Sequence, residues 1–235
     1  MEIIPAIIPK SFEDLEEKMS NVCKLAPLVQ VDVLDGSLVN LRCWPYLEAT
    51  RISADLARTS ADTNFKEIIA ERRGFPFWGD LEFEAHLMVN EPERIISDWI
   101  AAGAERIIVQ IEGARDFDKC IQEVSGRVPI GVALALDTSH EALKPFAQDI
   151  AVIQCMGWKL SHLGRQGEFL DEGIFDKIKA LRQDFPKHII SIDGGINLEN
   201  ALKLIEAGAD RLVIGSAIWK DGAVRENFKE FKTLQ

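Results

Sequence analysis

The stretch Leu28–Asn40, LVQVDVLDGSLVN, sets two acids, Asp32 and Asp35, in or just past a run of Leu and Val. Such a run reads as a buried strand, and an unpaired carboxylate there costs several kcal/mol or has its pKa raised. The acids therefore need a polar pocket to face. Other ionisable residues sit in similar places. His86 lies within EFEAHLMV, Glu112 follows RIIVQI, and Asp193 closes HIISID. Two carboxylates on opposite sides of one pocket can remove a proton from one face of a carbon and return one to the other face. Abstraction next to a carbonyl also needs something to hold the enolate oxygens. Asp32, His86 and Asp193 together would make an open three-ligand site for zinc, manganese or iron, which could do that. Each residue has a plainer reading too: a His in an apolar strand is often hydrogen-bonded core, and an Asp at a strand end is often a helix N-cap. The three together favour a site, because perturbed ionisable groups cluster there.

Two glycine-bearing turns suggest an anion. DGGIN follows one apolar run and IGSAI another. Gly194, Gly195, Gly215 and Ser216 would offer backbone N–H groups to a phosphate; tight turn geometry alone is the competing explanation.

The elements that must position these residues alternate along the chain. EIIPAII, LVQVDVL, FEAHLMV, RIIVQIE, PIGVALA, IAVIQC, HIISID and RLVIGS read as strands. Helix-period segments lie between most of them: one follows Ser11, a candidate N-cap, and another starts at Pro92 and closes at Gly103. HEALKPFAQD reads as a helix interrupted by Pro145. Apolar strands alternating with helices imply parallel strands covered on the outside. Eight units in 235 residues fit an α/β fold, a single (β/α)8 TIM barrel over 1–235. An open doubly wound sheet is the alternative, though the first turn lacks a Gly-rich loop. In a barrel the loops after strands seven and eight are the usual phosphate site, where DGGIN and IGSAI fall. Ile100–Val109, IAAGAERIIV, and Ile205–Ile214, IEAGADRLVI, repeat one helix–turn–strand pattern. Either one unit is reused or such turns converge. An extended connection, at about 41–81, carries a helix-like segment from Ile52 and the aromatics Trp44, Phe75, Phe77 and Trp78. Internal packing or a dimer surface is a better reading of them than a cover over a ligand.

Bulk properties narrow the partners. A formal net charge of −11 argues against nucleic acid or an anionic membrane, but not against a small anion held by local donors. Cys23, Cys43, Cys120 and Cys155 have no zinc or CxxC spacing and read as reduced thiols of a cytoplasmic protein. The N-terminus lacks a basic signal-peptide region, and no apolar run approaches the roughly 20 residues of a membrane span.

VDVLDG, HLMV..PER, DGGIN and EAGAD.LV.GSAI, in this order, resemble the ribulose-phosphate 3-epimerase family. The resemblance implies a barrel that epimerises ketopentose phosphates, D-ribulose 5-phosphate and D-xylulose 5-phosphate, at C3. It implies Asp32 and Asp193 as acid/base pair and metal ligands, His86 as a further ligand to zinc, iron or manganese, and Gly194, Gly195, Gly215 and Ser216 around the phosphate. Family members are commonly oligomeric, which leaves a homo-oligomer open, with the long aromatic connection either serving or preventing it. Three departures stand out. The His of the family's HVDxMDG is Gln30, a poorer ligand; the Ser of PSIL is Ala6; and the NPGFGGQ loop is replaced by MGWKLSHLGRQGEF, whose Lys159, His162 and Arg165 could grip an anion. These leave open an isomerase or lyase on another phosphosugar, or a phosphosugar-binding protein without turnover.

Overall fold

The computed structural model describes residues 1–48, 61–164, 167 and 169–234. Eight strands close in chain order into a barrel: β1 (Glu2–Ile7), β2 (Leu28–Val33), β3 (Glu82–Leu87), β4 (Arg106–Gln110), β5 (Ile130–Leu134), β6 (Ile150–Met156), β7 (Ile189–Asp193) and β8 (Arg211–Ile214). The β1–β8, β2–β3, β3–β4, β6–β7 and β7–β8 ladders are all parallel. The expected (β/α)8 architecture is the observed one. By contact density the chain divides into two units, Met1–Ala6 with Gly131–Gln235, and Ile7–Ile130.

In the Ile7–Ile130 unit, the helix Phe12–Val22 starts where Ser11 Oγ accepts a hydrogen bond from Asp14 N. Its Phe12, Leu15, Met19 and Val22 recur at helical spacing and are buried. The long connection after β2 delivers the core aromatics. Trp44 is 1 % exposed and meets Phe65 edge-on at 5.5 Å, while Phe75 stacks on Phe83 at 3.9 Å. Trp99 packs against both Trp44 and Phe65. Trp44 and Phe75 are therefore internal packing, whereas Trp78 is 77 % exposed. The helix-like reading from Ile52 falls partly outside the described residues; beyond them the chain forms a helix at Thr63–Ile69.

In the other unit, the helices Gly173–Asp184, Leu198–Ala207 and Val224–Lys232 each bury one apolar stripe. Asn197 and Asn200 form a reciprocal capping box at the second helix. The segment around Pro145 is a 3-10 helix, His140–Phe146, because Pro145 has no N–H to continue an α-helix. Lys144 Nζ joins its Glu141 (2.8 Å) to Asp184 (3.1 Å), so an ammonium already serves the carboxylates of the His140–Glu141–Asp184 group.

The internal repeat is structural. Gly103 and Gly208 both take positive φ, +97° and +117°, which a side chain would strain. Two residues later, Glu105 N bonds Phe83 O (2.9 Å) and Asp210 N bonds Ile190 O (2.8 Å), each the second residue of the preceding strand. One turn geometry thus launches β4 and β8 in the same register.

All four cysteines are free thiols, with Cys43, Cys120 and Cys155 buried and Cys23 half-buried. Burial pushes the Cys43 thiol well up and that of Cys120 up to about 12, so neither forms thiolate near neutral pH. A disulfide-exchange reagent should therefore label one thiol, Cys23, quickly in native protein and the other three only on unfolding. Rapid labelling of two or more, located by peptide mapping, would contradict this packing.

Candidate active site

Strand register sets the site. Asp32 pairs across the β2–β3 ladder with His86, and each is the fifth residue of its strand. Gln30, two residues before Asp32, shares its face of the strand. All three are buried: Gln30 and His86 are 0 % exposed and Asp32 5 %. Gln30 Nε2 donates to Asp32 Oδ1 at 2.8 Å and stands 3.3 Å from His86 Nδ1. On the other side of the ring, His86 Nε2 lies 3.0 Å from Gln110 Oε1, and Gln110 Nε2 donates to Glu112 Oε2 at 2.5 Å. That last bond turns the Gln110 oxygen toward the ring, so His86 Nε2 carries a proton, and in the neutral ring Nδ1 is an acceptor.

Asp193 has a parallel arrangement in its own unit. It is the last residue of β7 and 7 % exposed. Gln154 Nε2, on β6, donates to Asp193 Oδ2 at 3.0 Å, and Gln154 Oε1 accepts from Ser191 Oγ at 3.3 Å. Each aspartate thus receives an amide N–H from a strand glutamine.

Asp32 and His86 in one unit, and Asp193 in the other, are all buried. His86 Nδ1 and Asp32 Oδ1 are 3.3 Å apart. Neighbouring ligands around an ion with bonds of about 2.1 Å are roughly 3 to 3.4 Å apart, so the pair has the spacing of a divalent-cation edge. One imidazole with two carboxylates suits zinc, manganese or iron. Gln30 turns its nitrogen, not its oxygen, toward this edge.

The remaining expected site residues lie as follows. Asp35 is outside β2; its Oδ1 accepts from Ser37 N (2.8 Å) and Ser37 Oγ (2.6 Å), shaping the loop. Glu112 falls in a 3-10 turn after β4 and serves Gln110. Gly194 and Gly195 follow β7 with φ of +104° and +68°. A Cβ on Gly194 would meet the Trp158 ring at 2.6 Å, and one on Gly195 would meet Leu170 N at 2.6 Å. Gly157 is as constrained, since a Cβ there would lie 2.2 Å from Gly194 O. The segment after β6 is thus laid directly on the glycine turn, with Trp158 Nε1 donating to Phe169 O at 2.9 Å. Gly215 precedes a short helix, Ser216–Trp219, and Ala6 Cβ is its nearest neighbour at 4.0 Å. Lys159 is exposed, His162 Nδ1 is 3.1 Å from Ser161 Oγ, and Arg165 lies outside the described residues. Gln110, Gln154 and Trp158 were not singled out from sequence. The two glutamines did carry a signal: an amide within an apolar strand, in IIVQIE and AVIQCM, must have a buried partner. A cavity of about 420 Å³ lined by Pro27, Phe75, Trp78, Leu81 and Gly103 lies at the starts of β2 and β3, the strand ends remote from Asp32 and His86.

Solved barrel enzymes share this fold. 3-Hexulose-6-phosphate synthase from Salmonella typhimurium superposes with a TM-score of 0.69, at 14 % identity over 100 % of this chain and 98 % of that one. 3-Keto-L-gulonate-6-phosphate decarboxylase from Vibrio cholerae superposes at 0.68, with 12 % identity over 99 % and 96 %. At such identity these likenesses establish the barrel. Sequence narrows the class further: the profile of the ribulose-phosphate 3 epimerase family matches residues 70–219, and the chain belongs to that family. The ribulose-phosphate 3-epimerase of Bacillus subtilis is 26 % identical over 99 % of this chain and 98 % of its own length. That of Chlamydia trachomatis is 31 % identical over 87 % and 79 %. No helix among the described residues is long and apolar enough to cross a membrane.

Gln110→Leu should destabilise the fold by about 1–3 kcal/mol in urea unfolding, because the His86 Nε2 donor loses its buried acceptor. An unchanged unfolding midpoint would contradict the hydrogen-bond direction assigned to the ring.

Proposed function

We propose that the chain is a sugar-phosphate epimerase that interconverts D-ribulose 5-phosphate and D-xylulose 5-phosphate at C3. The observation that carries this reading is the pair of buried strand-end carboxylates, Asp32 and Asp193, each held by a glutamine N–H. Family membership supports the substrate class. In one direction Asp32 takes the C3 proton. The electron pair of the broken C–H bond forms the C2–C3 double bond, and the C2 carbonyl oxygen takes the negative charge. Asp193, which enters this step as the carboxylic acid, gives its proton to C3 on the other face, the C2 carbonyl re-forms, and the configuration is inverted; Asp32 is left protonated and Asp193 ionised. In the reverse direction the two carboxyl groups exchange roles. The amide donors restrain both carboxylates, so little reorganisation is needed when the proton moves. Asp32, His86 and Asp193 would hold a divalent cation, which when bound supplies positive charge for the enediolate oxygens.

The substrate phosphate is assigned to the N–H groups of Gly194, Gly195, Gly215 and Ser216. Trp158, lying on Gly194, would wall this pocket on one side. Lys159, His162 and Arg165 belong to the same loop after β6 and add charge near the phosphate in this reading. We further propose a single cytoplasmic barrel domain that assembles as a homo-oligomer, as the resemblance implies.

Asp32→Asn and Asp193→Asn should each lower epimerisation by about 10²–10⁴-fold, while a shift in melting temperature on adding ribulose 5-phosphate persists. Undiminished turnover in either variant would remove that residue from the mechanism. Gly157→Ala should raise KM about tenfold or more with a smaller change in kcat, because its methyl group displaces the Gly194 carbonyl and the phosphate turn. A fall in kcat at constant KM would instead assign the turn to proton transfer.

A further inference from the structure

We propose that Gln30 is a positioning residue whose carboxamide takes the place of a cation between Asp32 and His86: it aims the Asp32 carboxylate without a metal and must move before a metal binds. The role assigned to Asp32 rests on the epimerase reading; the geometry does not.

The argument is an accounting of protons. Glu112 Oε2 can only accept from Gln110 Nε2, so Gln110 Oε1 faces His86 and accepts its Nε2 proton. In the neutral ring His86 Nδ1 is then an acceptor, 3.3 Å from a second acceptor, Asp32 Oδ1. Two acceptors at that distance repel unless something positive lies against both. Gln30 Nε2 does, at 3.3 Å and 2.8 Å, and its two hydrogens match the two lone pairs. The opposite amide orientation would set a carbonyl oxygen 2.8 Å from the carboxylate oxygen and beside the Nδ1 acceptor, which is repulsive at both. The direction of the row, Glu112–Gln110–His86–Gln30–Asp32, is thus set from both ends, by the Glu112 carboxylate at one and the Gln30 amide at the other. A cation would be attracted to the same two lone pairs, so amide and cation compete. Gln30 and His86 are fully buried, which makes the competition direct rather than diluted by solvent.

Imidazole at position 30 would remove the competing donor and add a ligand. Gln30→Met would remove the donor and add nothing that binds a hard cation. The role is thus separable from simple space-filling, because the variants differ in what they do to the His86 proton and to metal affinity.

The test uses the full chain and two probes. Nitrogen-15 spectra of histidine-labelled protein, above the ordinary histidine titration range, should show His86 as the Nε2–H tautomer; the chain has only four histidines, and His86→Gln assigns the signal. In Gln30→Met the Nδ1–H share should rise, as the ring turns its proton toward Asp32. Titration with Co²⁺ alone, followed by visible absorption, should show wild type binding at least about tenfold more weakly than Gln30→His. An Nδ1–H tautomer in wild type, or cobalt affinity equal to that of Gln30→His, would overturn the proposal. The wild-type spectrum needs no variant, so a variant that fails to fold leaves the test intact. If the tautomer and cobalt results hold but ribulose 5-phosphate is not epimerised, the epimerase reading fails and the role of Gln30 between Asp32 and His86 stands.

Discussion

The hydrogen bond from Gln30 to Asp32 carries the logic of this molecule. A carboxylate at the end of an apolar strand is stable as an anion only if donors meet it, and water scarcely reaches a side chain 5 % exposed. Gln30 provides one N–H from the same strand face. Gln154 does the equivalent for Asp193. The same bond that offsets the cost of burial also restricts where the carboxylate oxygen can point, so in the proposed mechanism one contact serves both folding and proton transfer.

The scaffold supports that contact through strand periodicity and glycine. The two-residue repeat of β2 puts Gln30 and Asp32 on one face, and the β2–β3 register brings His86 alongside. On the β7 side, Gly157, Gly194 and Gly195 let three backbone segments approach more closely than any side chain permits. The aromatic cluster of Trp44, Phe65, Phe75, Phe83 and Trp99 explains the long connection after β2. It extends the core of its unit rather than covering a ligand.

Much of this was legible in the residues. Apolar runs of six or seven residues marked the strands, and the repeated AGA turn proved to be one geometry used twice. Asp32, His86 and Asp193 stood out because charge inside such runs demands a reason. Asp35 and Glu112 looked the same in sequence but lie just beyond their strands, in turns where local partners satisfy them. The difference is one or two residues at a strand end, which pattern alone cannot resolve. The roles of Gln110 and Gln154 were hidden for another reason: an amide is neutral, and its use emerges only when the direction of its hydrogen bonds is known. By residue type alone Gln30 is a poorer metal ligand than histidine. Its nitrogen, facing two acceptors, recasts it as a donor.

The central claim is that two carboxylates work on opposite faces of one carbon. Early in turnover of D-ribulose 5-phosphate in D₂O, mass spectrometry of the separated sugars reads this directly. Newly formed xylulose 5-phosphate should carry deuterium at C3 from Asp193, while recovered ribulose 5-phosphate remains largely protiated because Asp32 returns the proton it took. Equal labelling of both sugars, or product with no solvent deuterium, would show one group serving both faces and would contradict the account.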